Sequence, residues 1–149
     1  MTSFRQNIAG WIAIIASLAL YIASLGMPAL EFANHEPVKG YVTLLWGWWG
    51  LLMRDFPWLA NPIYFLALFV VLAGDKKAGQ VLSVLAFGVG MLSLWTREWS
   101  FDESQSTPIR NLGSAFYCWM ASFLVLLLLL FFAKNQVNSA SRGKNPKNP

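Results

Sequence analysis

Charge is scarce in this chain. Only 12% of its 149 residues are Asp, Glu, Lys or Arg, about half of the roughly 25% that a soluble domain carries. Together with apolar runs of about 20 residues, that shortage argues against an ordinary soluble domain and for an integral membrane protein. Cysteine and histidine are scarcer still. The single cysteine, Cys118, rules out a disulfide within the chain and leaves the redox compartment unread. With one histidine, His35, most catalytic and metal sites lack their parts. Serine-nucleophile motifs, Gly-rich phosphate loops and Cys/His metal spacings are absent as well. No Asp, Glu, Lys, Arg or His falls inside the apolar stretches delimited below. Pumps, proton-coupled carriers and voltage sensors need such groups within the membrane, so those classes are disfavoured.

What is present is apolar and continuous. Hydrophobic residues make up 56% of the chain, and the mean hydropathy is +0.49. The runs are rich in Leu, Ala and Phe without alternation, which predicts helices and not a barrel. Four spans are expected, at about 8–27, 58–73, 78–96 and 112–133. Pro28 closes the first, and the fourth contains "FLVLLLLLFF". About 20 helical residues cross the ~30 Å hydrocarbon core, so the second span is short. Its Asn61–Pro62 pair suits an N-cap and first helical position. It either extends back through Pro57 or Trp58 with a kink or sits where the bilayer thins. The expected fold class is an all-α membrane protein, a four-transmembrane-helix bundle. Residues 1–133 form one membrane domain, and 134–149 form a disordered basic tail. The first apolar run is too long for a signal peptide and lacks a small-x-small cleavage site.

Lysine and arginine set the orientation. With the N-terminus inside, Arg5, Lys76, Lys77, Lys134, Arg142, Lys144 and Lys147 fall inside. Lys39, Arg54, Arg97 and Arg110 fall outside. Seven against four places both termini in the cytoplasm. The acids Glu31, Glu36, Asp55, Glu98, Asp102 and Glu103 then lie in the outside loops. The basic residues are scattered without aromatic interleaving, so nucleic acid is not a partner. The lipid bilayer is, and the basic tail anchors topology beside the anionic leaflet.

Residues 41–53, "YVTLLWGWWGLLM", are too apolar for a water-exposed loop and too short to span. As a helix over about 41–54, they place Tyr41, Leu44, Leu45, Trp48 and Leu52 on one face. Thr43, Gly47, Gly50 and Arg54 form a small or polar stripe on another. Such a helix of about 20 Å either lies in the outer interface or re-enters the membrane. Trp46, Trp48, Trp49, Trp58, Trp95 and Trp99 gather at that side as an aromatic lip. Gly47 and Gly50 let its backbone approach the bundle. The lip either anchors the bundle or docks a lipid, a small apolar molecule or a partner's helix.

A second stripe runs along the third span through Gly79, Ser83, Ala86, Gly90 and Ser93, at spacings suited to close helix packing. Gly10, Ala13, Ser17 and Ser24 form a weaker version in the first span. These stripes pack spans one and three together, or one of them faces another protein or a second copy of the chain. No metal site is expected. Glu31 and His35, with Glu36 beside it, would share a helical face only if their Pro-bracketed segment were helical, and the Asp102–Glu103 pair reads as a solvated loop.

The segment "GYVTLLWGWWGLL", followed by "WLANP", an apolar run and a short basic turn, resembles a family of small, uncharacterised bacterial inner-membrane proteins with four spans. The likeness extends from about Pro28 to Phe132. It implies an inner-membrane location and four helices, and it singles out Gly47, Trp48, Gly50, Leu51, Asn61 and Pro62 for testing. It brings no activity and no cofactor.

Together these features predict a non-enzymatic accessory, assembly or immunity-type subunit that binds a membrane partner. The alternative is binding or passage of a small apolar or lipidic ligand at the lip. A third reading is a metal-dependent enzyme using Glu31, His35, Glu36 and Asp102. A ligand site requires a cavity of about 300 Å³ or more between the Trp-rich helix and the spans. A subunit requires a filled bundle with the lip facing outward. The enzyme requires His35 to lie within about 5 Å of a carboxylate from the other loop, close enough to share a metal.

Overall fold

The computed structural model describes residues 8–100 and 106–142. Arg5, Asp102, Glu103, Lys144 and Lys147 lie outside the described residues. The chain is mostly helical. Helix α1 (Ile8–Gly26) ends just before Pro28, whose ring cannot continue it. After two short strands comes α2 (Gly40–Trp46), which passes directly into a 3-10 helix over Gly47–Met53. A 3-10 turn at Pro57–Leu59 opens α3 (Ala60–Leu72), so the second apolar helix does extend back through Pro57. Gly74, at φ +100°, turns the chain. Asp75 then caps α4 (Lys76–Met91) by accepting from the Ala78 N–H at 3.0 Å. A 3-10 turn at Leu92–Trp95 prolongs α4, and α5 runs from Ser114 to Arg142.

Two of these segments, Lys76–Trp95 and Ser114–Phe131, are long and apolar enough to cross a membrane, at 20 and 18 residues. Trp11–Gly26 and Pro57–Leu72 are shorter apolar helices. The last helix continues past Ala133, the boundary expected for the membrane domain, to Arg142.

The all-α expectation needs correction at the loops. Strands β1 (Pro28–Glu31), β2 (Val38–Lys39) and β5 (Asn111–Leu112) form an antiparallel sheet in the order β2-β1-β5. Strands β3 (Glu98–Ser100) and β4 (Ser106–Pro108) form a separate antiparallel pair. Pro28 and Pro37 keep the first loop out of helix, and its extended backbone then needs partners. The second loop supplies them: Gly113 donates to the Ala29 carbonyl at 2.9 Å and Arg110 to the Glu31 carbonyl at 2.8 Å.

Helix α5 packs against both α1 and α4, and α3 against α4. Phe123, Leu126 and Leu130 of α5 are buried together with Ile14 and Tyr21 of α1 and Tyr64, Ala67 and Val71 of α3. The α4 stripe packs within the chain, although not against the first span. A Cβ on Gly79 would run into Val71 of α3. One on Gly90 would come within 2.8 Å of the Met120 sulfur of α5. Ser83 is buried and returns its hydroxyl to the Gly79 carbonyl at 2.8 Å. The first-span residue Ser17 instead faces α5 and α3. Its hydroxyl donates to the Ser122 carbonyl at 2.7 Å. Having one proton, it must therefore accept from the Tyr64 hydroxyl, 2.6 Å away. The opposite faces of the long helices carry exposed apolar side chains, among them Ile12, Ile15, Phe65, Phe69, Val81 and Leu128.

Candidate ligand cavity

The end of α1 and the starts of α3 and α5 meet at the strand-bearing end of the bundle, where α2 and its 3-10 extension fold over them. Two glycines permit that approach. Gly40 donates to the Met27 carbonyl at 2.9 Å, so near α1 that a Cβ there would overlap the Ser24 carbonyl. Gly47 sits against the Trp58 ring, and a Cβ there would lie 2.8 Å from its Cδ1. Trp58 donates its indole N–H to the Leu44 carbonyl at 2.8 Å. The Trp-rich segment is thus fastened at its start by a glycine contact and in its middle by an indole.

Between this segment and the helices lies a cavity of about 1460 Å³. The change from α to 3-10 at Gly47 alters the expected helical wheel, yet its stripe survives: Thr43, Gly47, Gly50 and Arg54 all line the cavity. Of the expected lip, Trp46, Trp49, Trp58, Trp95 and Trp99 line it too, while Trp48 does not. Trp48 stacks edge-on against Trp49 at 5.4 Å and is exposed, as are Tyr41, Leu45 and Leu52. Ser93, expected as a packing residue, also lines the cavity and is only half-buried, so the packing stripe ends at Gly90.

The cavity floor was not foreseen. Asn61, expected as an N-cap, makes no cap bond, because the Pro57–Leu59 turn already starts the helix. Its side chain lies buried, and its Oδ1 accepts from the Tyr21 hydroxyl and the Trp119 indole N–H, each at 2.9 Å. Its amide nitrogen donates to the Trp58 carbonyl at 3.0 Å. Tyr21 stacks on Tyr64 with ring centroids 5.3 Å apart, tying this floor to the Ser17 chain of bonds below it. The signal that could have revealed it is positional: Tyr21 and Trp119 fall about two turns, and Asn61 about one turn, from the same end of their spans.

At the rim, Arg54 adopts φ 62° and is the one non-glycine residue with positive φ among the described residues. Its N–H closes the 3-10 helix onto Gly50 and Leu51. Glycine ordinarily takes such a left-handed cap, and another residue there costs about 1 kcal/mol. Asp55 follows, accepting at Oδ1 from the Thr96 hydroxyl at 2.9 Å and so joining the Trp-rich segment to the end of α4. Burial pushes the Asp55 carboxyl above its ordinary value, and the Thr96 bond only partly offsets this. A folded-state value above the unfolded one means that the folded state holds the proton more tightly. Stability from this group is therefore fully present below the ordinary carboxylate range and is lost as pH climbs through the elevated value. The melting temperature should fall slightly over that climb, and Asp55→Asn, which keeps the Oδ1 acceptor, should remove the fall. An unaltered pH profile in the variant would exclude Asp55 as its source.

Of the metal reading, Asp102 lies outside the described residues and the helical arrangement of Glu31 and His35 is absent. Glu31 ends β1 and His35 lies in a bend, so the shared helical face does not form. His35 instead approaches Phe32 edge-on, with centroids 6.5 Å apart. Among the described residues no group of three His, Cys, Asp or Glu side chains could hold a metal ion. The fold and cavity together give a small helical bundle with a half-open, tryptophan-lined cavity at one end. No protein-family model, no curated protein and no solved structure matches the chain.

Proposed function

We propose that this protein is a four-span bundle of the bacterial inner membrane, with both termini cytoplasmic, that holds a lipid-like amphiphile beneath its Trp-rich segment without transforming it. The apolar faces of all four long helices and the seven-to-four distribution of basic residues support the membrane placement. The likeness to small four-span inner-membrane proteins supports it too. One observation carries the ligand reading: the cavity of about 1460 Å³, walled by six of the eight tryptophans. That volume is well beyond the ~300 Å³ a ligand site needs. A subunit that only docks on a partner needs no chamber, so this reading moves ahead of the accessory-subunit one.

The accessory reading keeps one specific support. Tyr41, Leu45, Trp48 and Leu52 are exposed on the side of the Trp-rich segment away from the cavity, a surface suited to a partner's transmembrane helix. Native mass spectrometry of the protein released from its own membrane separates the two. The ligand reading predicts a one-to-one lipid adduct, reduced about fivefold or more by the cavity-filling Ser93→Phe, an occupancy loss of roughly 1 kcal/mol. A chain carrying no small-molecule adduct, but a stoichiometric protein lost on Trp48→Ala, would replace it with the subunit reading.

A further inference from the structure

Hydrogen-bonding groups around the cavity are unevenly engaged. Three of its acceptor side chains already hold donors: Asp55 takes the Thr96 hydroxyl at Oδ1, Glu98 takes the Ser106 hydroxyl at 2.6 Å, and Asn61 takes Tyr21 and Trp119. Its donors do not all have acceptors. Arg54, Arg97, Trp46, Trp49, Trp95 and Trp99, all side chains with N–H donors, line the cavity. None of these six side chains donates to a partner among the described residues. Arg54 and Arg97 are exposed and line the cavity together with Asp55 and Glu98, and a guanidinium there can grip an anionic oxygen cluster with two parallel bonds.

Arg54 supplies an independent pointer. It holds a left-handed cap position that glycine would fill without strain, and it lines the cavity. A non-glycine residue in such a conformation directs attention to its side chain. Size narrows the class further. The chamber exceeds the ~300–1,000 Å³ range of drug-sized ligands, so its occupant has a long apolar body as well as a head. Leu25, Val42 and Phe116 offer apolar wall for that body. Resting on the amphiphile reading above, we propose that the occupant is a single phosphate-headed membrane lipid. Its phosphate oxygens sit on Arg54, Arg97 and the unengaged indoles, and its acyl chains run along the apolar wall.

Lipids with brominated chains test this, because bromine quenches nearby tryptophan. The purified full chain in neutral detergent is titrated with phosphatidylglycerol and with diacylglycerol carrying the same brominated chains. The wild type should reach half-quenching at about tenfold less phosphatidylglycerol than diacylglycerol, as expected for a charge-assisted head-group contact. Arg54→Gly should erase most of that preference without lowering the melting temperature, since glycine accepts the φ of this position. Arg97→Gln should reduce the preference independently. Equal quenching by both lipids, still weakened by Ser93→Phe, would overturn the phosphate assignment and leave the cavity reading standing. Quenching indifferent to Ser93→Phe would overturn the cavity reading itself. Displacement of phosphatidylglycerol by millimolar inorganic phosphate would also overturn the assignment, because the head alone would then suffice.

Discussion

Gly40→Ala is expected to lower stability by about 3 kcal/mol or more, near the upper end of overpacking penalties. The added methyl meets the Ser24 carbonyl, which is helix backbone and cannot rotate away. Relief requires the start of α2 to lift off α1, and the 2.9 Å bond from Gly40 to Met27 would break with it. The Trp-rich segment would then lose its first fastening, and the cavity its roof. Gly88→Ala is the control, since nothing lies within 4 Å of a Cβ at that position on the exposed face of α4. There the change should be neutral or stabilising by about 0.5–1 kcal/mol. Thermal unfolding followed by tryptophan fluorescence reads both. Equal midpoints for the two variants would mean that α2 does not rest on α1.

Asn61→Leu should be comparably damaging for a different reason. It removes the shared acceptor of the Tyr21 hydroxyl and the Trp119 indole, and the amide donor to the Trp58 carbonyl. Hydrogen bonds between membrane helices average only about 0.6 kcal/mol when both partners are deleted together. Leaving two donors without an acceptor is costlier, about 1–3 kcal/mol each, so a loss of about 3 kcal/mol is expected. The double variant Tyr21→Phe with Asn61→Leu removes one stranded donor and should recover part of that loss. A double variant weaker than Asn61→Leu alone would show that the Tyr21 hydroxyl finds another acceptor once Asn61 is gone and is not stranded.

Much of the helical plan was legible because its signals are strong and local. Apolar runs bounded by Pro28, Pro57 and the Gly74–Asp75 turn mark helix ends that the structure reproduces to within a few residues. Two-residue strands such as Val38–Lys39 and Asn111–Leu112 have no period to detect, and their pairing is set by loops distant in sequence. The Gly79–Gly90 stripe was visible as a packing face. Its partner was not, because small residues specify closeness and the choice of neighbour comes from the order of helices in the bundle. Asn61 was misjudged for a related reason. A local capping rule gave way to two long-range donors that only the assembled bundle brings together.

The Trp-rich stretch shows the same division. Its stripe of Thr43, Gly47, Gly50 and Arg54 was readable from spacing and does face inward. That it faces a chamber could not be read. The segment over it is held at Gly40, at Trp58 and at Asp55, three points separated along its length. Between those points the roof is carried over the floor of Tyr21, Asn61 and Trp119 instead of collapsing onto it.

The most direct test of the account is a density map of the protein in lipid nanodiscs, obtained by electron cryomicroscopy with a bound antibody fragment for size. The account predicts elongated non-protein density inside the chamber, over the Tyr21–Asn61–Trp119 floor, with its head beside Arg54 and Arg97. A map in which Trp46 and Trp49 fall inward and fill that volume, leaving no room for any ligand, would contradict it.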